Sequence, residues 1–302
     1  MTTLTIGTRK SQLARWQTNH IIELLKQAWP DVDCRIYDFE TQGDKTLDKP
    51  LPQIGGKGLF TWELEEALRN GRIDIAVHSL KDLPVEDAPG LTLGAVVGRA
   101  DVRDVVITAD GRQLADLPEG AVVGTSSLRR QAQLHHHFPH LITQSIRGNV
   151  ETRIRKVMEG QYAATILAAA GITRLGLTAH VCEWLPLNVM LPAPGQGALG
   201  IQCRRNDDHT RKLLESIHNT AVYRAVTAER TFLNALGGGC ATPVAAYATV
   251  NHDTIYLSGL VGAVDGTAVI QTNGTGTDPL ALGQELAKKA IADGAEALLQ
   301  HA

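Results

Sequence analysis

The absences in this 302-residue chain are the first constraint on what it does. No apolar run approaches the roughly 20 residues that span a bilayer, so a helical membrane protein is not expected. Met1-Thr2-Thr3-Leu4-Thr5-Ile6 carries neither the basic nor the apolar region of a signal peptide, which makes the cytoplasm the expected location. There is no surplus of positive charge: 29 Lys and Arg against 32 Asp and Glu leave a net charge of −3. A nucleic-acid partner is therefore not expected, and any cationic site must be a local concentration of arginines. Cysteine is scarce, with four at irregular spacing, so neither a disulfide framework nor a zinc site is indicated. Low-complexity tracts are missing, as is any repeat beyond successive strand–helix units. What remains has the composition of an ordinary globular protein, long enough for two or three domains with sizeable cores.

The stretch around which the chain is organised is Ile73-Asp74-Ile75-Ala76-Val77-His78-Ser79-Leu80-Lys81-Asp82-Leu83-Pro84. Its first half alternates apolar residues as a buried strand does. Its second half is polar and stops at Leu83-Pro84, where proline disfavours helix for the residue before it. Lys81 and Asp82 thus leave the carboxyl end of a strand, where open α/β sheets place ligands. Taken alone, the pair reads more plainly as a surface ion pair beside a turn.

Around that stretch the chain alternates strands and helices. Leu4–Gly7 is a strand, and Thr8-Arg9-Lys10-Ser11 leads into a helix ending near Pro30, with Leu13, Trp16, His20 and Leu24 as its core stripe. Val32, Cys34 and Ile36 share one face of the next strand. Residues 41–58 read as a long loop of the kind that covers binding sites. A helix over 59–70 follows, then the organising strand and another at 91–97. From Arg99 a crossover enters a second domain with strands at 121–124, 141–145 and 162–168. Each feeds a helix, which predicts a parallel sheet with right-handed crossovers. The Pro- and Gly-rich 191–197 reads as the return. From about Thr220 a small α+β unit follows: a helix, three strands and a final helix from Pro279. The expected partition is 1–98 with 198–218, then 99–197, then 219–302.

Chemistry concentrates after the strands of the second domain. Thr125-Ser126-Ser127-Leu128-Arg129-Arg130 joins a helix start, with its unpaired amides and positive dipole end, to two bidentate and permanently charged arginines. An N-capped helix with solvated arginines is the plain alternative. Arg147, Arg153 and Arg174 also follow strands, as does Arg9. Carboxyl ends of parallel strands lie on one side, so these residues are expected to converge as an uncompensated cluster calling for a multiply anionic ligand. Cys240, between Gly237-Gly238-Gly239 and Thr242-Pro243, sits on a tight turn and reads either as a nucleophile or attachment point or as an inert loop cysteine. His135-His136-His137 reads as a solvated run rather than a metal site, because adjacent helical residues point different ways.

Five motifs in order then point further: His78-Ser79-Leu80-Lys81-Asp82-Leu83-Pro84, Gly124-Thr125-Ser126-Ser127-Leu128-Arg129-Arg130, Arg147-Gly148-Asn149, Pro194-Gly195-Gln196-Gly197 and Gly238-Gly239-Cys240. Together they resemble the porphobilinogen deaminase (hydroxymethylbilane synthase) family, from Ile6 to the carboxyl terminus. The resemblance implies an α/β fold of two type II periplasmic-binding-protein-like domains with a double crossover, plus a small carboxyl-terminal α+β domain. It implies a monomeric transferase of tetrapyrrole and haem biosynthesis that takes porphobilinogen and the growing oligopyrrole. It also implies a dipyrromethane cofactor attached through a thioether to Cys240 and held by Lys81, Thr125, Ser127, Arg129, Arg130, Gly148 and Arg174. Arg9, Ser11, Arg147, Arg153 and Gln196 would hold the incoming pyrrole, with Lys57 and Phe60 in a loop over the site and Asp82 as the catalytic acid. A two-lobed receptor for a polycarboxylate, without catalysis, is the reading from another class.

Overall fold

The computed structural model describes residues 2–45, 61–239 and 242–300. Lys57, Phe60, Cys240 and most of the 41–58 loop lie outside the described residues. Contacts divide the chain into two compact units: the described residues up to Arg99 with Gly197–Tyr223, and Ala100–Gln196 with the residues from Arg224 on.

The first unit is built on β1 (Thr2–Arg9), helix α1 (Gln12–Ala28), β2 (Val32–Phe39), α2 (Trp62–Arg69), β3 (Ile75–Ser79), β4 (Leu91–Arg99) and, after the return of the chain, β10 (Ala198–Arg204) with α6 (Asp208–Glu215). Strand order is β2-β1-β3-β10-β4. β1 runs parallel to β2 and β3, whereas β10 is antiparallel to both its neighbours. Alternate residues of β3 enter cores on opposite faces: Ile75 and Val77 join Leu4, Ile6 and Ile21, while Ala76 joins Leu64, Leu68 and Ile73. That two-sided burial is why the strand reads as a nearly continuous apolar run. The α1 stripe differs from expectation. Ala14, Gln17, Thr18, Ile21 and Leu25 are buried, and Trp16 is exposed and stacks on His20. The helix is turned by one position, and on its inner face Gln17 donates from Nε2 to Ser79 Oγ at 2.8 Å, a polar contact that hydropathy does not register.

The second unit repeats the order, with β5 (Asp104–Thr108), β6 (Val122–Gly124), α3 (Leu128–His137), β7 (Ile142–Gln144), α4 (Val150–Met158), β8 (Ala164–Ala168), α5 (Ala169–Arg174) and β9 (Glu183–Trp184). Strand order is β7-β6-β8-β5-β9. The three expected strands are parallel, and two strands outside that expectation, β5 and β9, extend the sheet. β6 is parallel to β7 and β8, but β5 pairs antiparallel with β8 and β9. Being only five residues long and entered directly from the crossover, β5 gives little periodic signal. Like β10 in the first sheet, it is the antiparallel strand beside three parallel ones. The result is a mixed α/β fold of two five-stranded sheets, the chain leaving the first after β4 and returning to it in β10.

A third sheet, β11 (Val244–Asn251), β12 (Thr254–Gly262) and β13 (Val269–Gly276), is an antiparallel meander, flanked in sequence by α7 (Thr220–Ala235), α8 (Pro279–Ala292) and α9 (Ala295–Gln300). Leu282, Leu286 and Ala290 form the buried face of α8. The histidine run is only partly solvated. His135 and His136 donate from Nδ1 to the carbonyls of Val264 (2.8 Å) and Gly266 (3.1 Å) in the β12–β13 turn. Gly266 has φ +78°, and a Cβ there would lie 2.5 Å from the backbone of His135 and His136, so only glycine lets the turn reach the helix end.

Candidate functional site

In the first unit the chemistry sits at the carboxyl edge of two neighbouring parallel strands. Arg9 ends β1, and Ser11 caps α1, its Oγ accepting from the Ala14 amide at 3.3 Å. β3 ends at Ser79 and passes into a 3₁₀ turn over Leu80–Asp82, closed by the Leu83 amide on the Leu80 carbonyl at 3.2 Å. Leu80 and Leu83 are buried on either side, which fixes the turn between two apolar anchors. Leu83 takes the extended conformation that Pro84 demands, with ψ 130°. Lys81 is half-buried and Asp82 exposed, so the carboxylate stands clear of the protein at the sheet edge.

His78, one residue before Ser79, is buried. Removal from water and the nearby Arg9 charge push its imidazole down to about 4, so it is neutral at neutral pH. In the unfolded chain it takes up its proton near the ordinary value of about 6.5. Stability is therefore expected to fall as pH drops from about 6.5 toward 4, by about 3 kcal/mol in all. Denaturation midpoints measured from pH 7 to pH 4 check this: His78→Gln should flatten the parent's dependence by that amount, and equal slopes would refute it.

In the second unit, the carboxyl ends of β7, β6 and β8 lie on one edge because the three strands are parallel. This edge carries the predicted residues. Thr125 is buried, its hydroxyl accepting from the Ser127 amide at 3.2 Å. Ser127 precedes α3, yet its side chain makes no capping bond to that helix. After β7, Arg147 is half-buried with its charge disfavoured by burial, and Gly148 adopts φ +118°. Asn149 caps α4 through Thr152 N at 2.9 Å, and Arg153 donates from Nε to the Gly148 carbonyl at 2.9 Å. Arg174 ends α5, and burial pushes its guanidinium down to about 10. An approaching carboxylate would relieve that cost.

Arg129 and Arg130 are placed differently from expectation. Both are buried, and both share one carboxylate of the chain, Asp104. Arg129 donates from Nη2 to Asp104 Oδ2 (2.8 Å) and from Nη1 to the Leu191 carbonyl (2.7 Å). Arg130 grips Asp104 with Nη2 (2.8 Å) and Nε (3.3 Å) and donates from Nη1 to the Ile166 carbonyl (2.8 Å). Gln196 is fully buried, its Nε2 donating to the Val102 carbonyl (2.7 Å) and Asp104 Oδ1 (2.9 Å). Sequence reasoning missed Asp104, Gln133 and Glu229. Asp104 has one signal, a lone acid opening the apolar run Val105-Val106-Ile107, and Gln133 and Glu229 have none.

Two of the three described cysteines are held as thiols by burial, and the third is bonded to the backbone. Cys203 lies in the first core, where burial pushes its thiol up to about 11, and Cys34 is likewise raised by burial. The Cys182 thiol lies 3.7 Å from both the Thr108 and His180 carbonyls and accepts from the Thr108 amide at 3.3 Å.

Among the described residues, no helix is long and apolar enough to cross a membrane. Two family models cover most of the sequence: "porphobilinogen deaminase, dipyromethane cofactor binding domain" over residues 4–212 and "porphobilinogen deaminase, C-terminal domain" over 223–292. A porphobilinogen deaminase of Brevibacillus brevis is 46% identical over 291 residues, covering 96% of this chain and 94% of that one. That of Syntrophotalea carbinolica is 48% identical over 300 residues, covering 98% and 95%. Among solved structures, the effector binding domain of BenM with benzoate aligns with a TM-score of 0.44 at 17% identity, over 72% of this chain and 90% of that one. With both family models matched in order and near-full-length identity to these relatives, the chain belongs to the porphobilinogen deaminase family.

Proposed function

We propose that this chain deaminates porphobilinogen and joins four molecules of it head to tail into linear hydroxymethylbilane, releasing ammonia, as a transferase of tetrapyrrole and haem biosynthesis. The observation that carries this is the arginine edge of the second sheet. Porphobilinogen bears an acetate and a propionate, so each added unit brings two more negative charges, and planar permanent cations are the side chains suited to hold them. A receptor would need the same arginines, but it has little need of an exposed acid after β3.

Dipyrromethane is the cofactor of the family and, when bound, supplies the primer with a free pyrrole α-carbon on which the product grows. The donor set suits its carboxylates. Arg174 is strained by burial, and Arg129 keeps a buried Nε with no hydrogen-bond partner among the described residues. Lys81, Thr125, Ser127, Arg129, Arg130, Gly148 and Arg174 hold it, with Cys240 as the point of attachment. Arg9, Ser11, Arg147, Arg153 and Gln196 hold the incoming pyrrole. Lys57 and Phe60 belong to the loop that covers it, and Asp82 serves the chemistry. The chain acts as a cytoplasmic monomer of three domains, 1–98 with 198–218, 99–197 and 219–302, a partition supported by one sheet in each.

Incubation with porphobilinogen tests the reading directly: ammonia and hydroxymethylbilane should appear, and a protein that binds porphobilinogen but releases no ammonia is a receptor. The division among arginines has its own readout. Arg129→Leu or Arg130→Leu should leave mostly protein without cofactor. Arg147→Leu or Arg153→Leu should carry the cofactor yet elongate poorly. Losing one charged hydrogen bond costs about 1.5–3 kcal/mol, roughly ten- to more than a hundredfold in binding. Intact mass and elongation intermediates separate the two classes, and indistinguishable defects would refute the division.

A further inference from the structure

Asp104 has no place among the residues assigned above, yet both buried arginines turn on it. Its side chain is fully buried at the start of β5. Its backbone is held on both sides, in register with Ala168 of β8 and with its carbonyl accepting from the Leu185 amide at 3.0 Å. Oδ1 accepts from Arg130 Nη2 (2.8 Å) and Gln196 Nε2 (2.9 Å), and Oδ2 from Arg129 Nη2 (2.8 Å) and Arg130 Nε (3.3 Å).

The surroundings make this a rigid mount. The other donors of the two forks reach carbonyls on different elements, Leu191 and Ile166. Residues 191–196 are tied down almost one by one. Gln133 bonds the Leu191 amide (2.7 Å) and carbonyl (3.1 Å), the Ala246 amide donates to Pro192 O (3.1 Å), and Glu229 Oε2 accepts from the Gly195 amide (2.7 Å). Gln196 closes the set by bridging Asp104 and the Val102 carbonyl. Asp104 therefore touches the outgoing chain, the returning chain and both arginines.

Two guanidiniums and one carboxylate leave one net positive charge in a buried place, and Arg129 Nε remains unbonded among the described residues. Without the carboxylate, two like charges would face each other in low dielectric and the forks would lose their fixed orientation. We infer that Asp104 is a positioning residue for cofactor loading: it sets the Arg129 and Arg130 forks in one orientation and leaves a single positive charge and spare N–H donors for one carboxylate of the primer. Supporting groups of this kind set the geometry of the groups that bind. The inference rests on the proposed function.

Asp104→Asn, Arg130→Gln and the double variant, each as the purified full-length chain, test it. Four quantities are read: the ratio of protein carrying the dipyrromethane mass to protein without it, the melting temperature, and kcat and KM for porphobilinogen in the loaded fraction. Asp104→Asn should lower the loaded-to-unloaded ratio about ten- to a hundredfold. In the Arg130→Gln background the same change should add less than its effect in the parent, because only the Arg129 fork is left for Asp104 to hold. If Asp104→Asn does not fold, Arg130→Lys replaces it: the charge stays, the two-point grip on Asp104 is lost, and loading should fall likewise. Loading at the parent's ratio with only a lower melting temperature makes Asp104 a residue of the fold alone and overturns the inference. So do effects that multiply independently in the double variant, or parental loading of Arg130→Lys. A parent chain that never carries the added mass overturns the reading of function itself.

Discussion

Asp82→Asn should fold, carry its cofactor and release ammonia at least about 10²–10⁴ times more slowly than the parent. The fold is indifferent to the change because the turn is anchored by buried Leu80 and Leu83, while Asp82 between them is exposed. The chemistry is not. The aminomethyl group of porphobilinogen departs as neutral ammonia from its protonated form, leaving a cationic methylene-pyrrole. A carboxylate at the carboxyl end of β3 can exchange the proton, lower the energy of that cation and accept the pyrrole N–H. Asparagine keeps the shape and one carbonyl acceptor but has neither the charge nor the acid. Asp82→Glu keeps both, displaced by one methylene, and should retain more activity than the amide. Single-turnover ammonia release from cofactor-loaded protein is the measurement, since it keeps loading defects apart from chemical ones. Near-parental release by the asparagine variant would make Asp82 structural.

This site was legible in the sequence because its signals are local. A strand, a polar turn and a proline within twelve residues determine where Lys81 and Asp82 stand. Asn149 capping α4 and Pro279 opening α8 are of the same kind. The arginine pair was half legible. Helix-start chemistry placed Arg129 and Arg130 at the sheet edge, but their partner Asp104 lies 25 and 26 positions away on a strand too short to announce itself. Nothing local to either arginine shows that the two share a buried carboxylate. The face of α1 was misread for a related reason. Gln17 and Thr18 count as polar in any periodicity, yet Gln17 is buried by a bond to Ser79, 62 positions on. Long-range polar pairing is what sequence periodicity cannot carry.

The remaining large effect concerns the attachment of the cofactor. A thioether needs a thiolate within reach of solvent and substrate, because the thiolate is the nucleophilic form. Cys203 fails on both counts, sealed in the first core and pushed up to about 11 by that burial. Burial likewise raises Cys34, and Cys182 is engaged with backbone groups of Thr108 and His180. Cys240 lies outside the described residues. Gly237 takes φ +66°, and Thr242 folds back to donate from its amide (3.2 Å) and hydroxyl (2.8 Å) to the Gly239 carbonyl. The purified parent should therefore weigh more than its sequence by one dipyrromethane, and Cys240→Ser should lose both that mass and turnover, since a serine hydroxyl is far less nucleophilic. Cys34→Ser, Cys182→Ser and Cys203→Ser should keep the addition, the last at some cost in stability. Intact mass decides it: an active parent at its bare sequence mass, or a Cys240→Ser protein that still carries the addition, would place the attachment elsewhere.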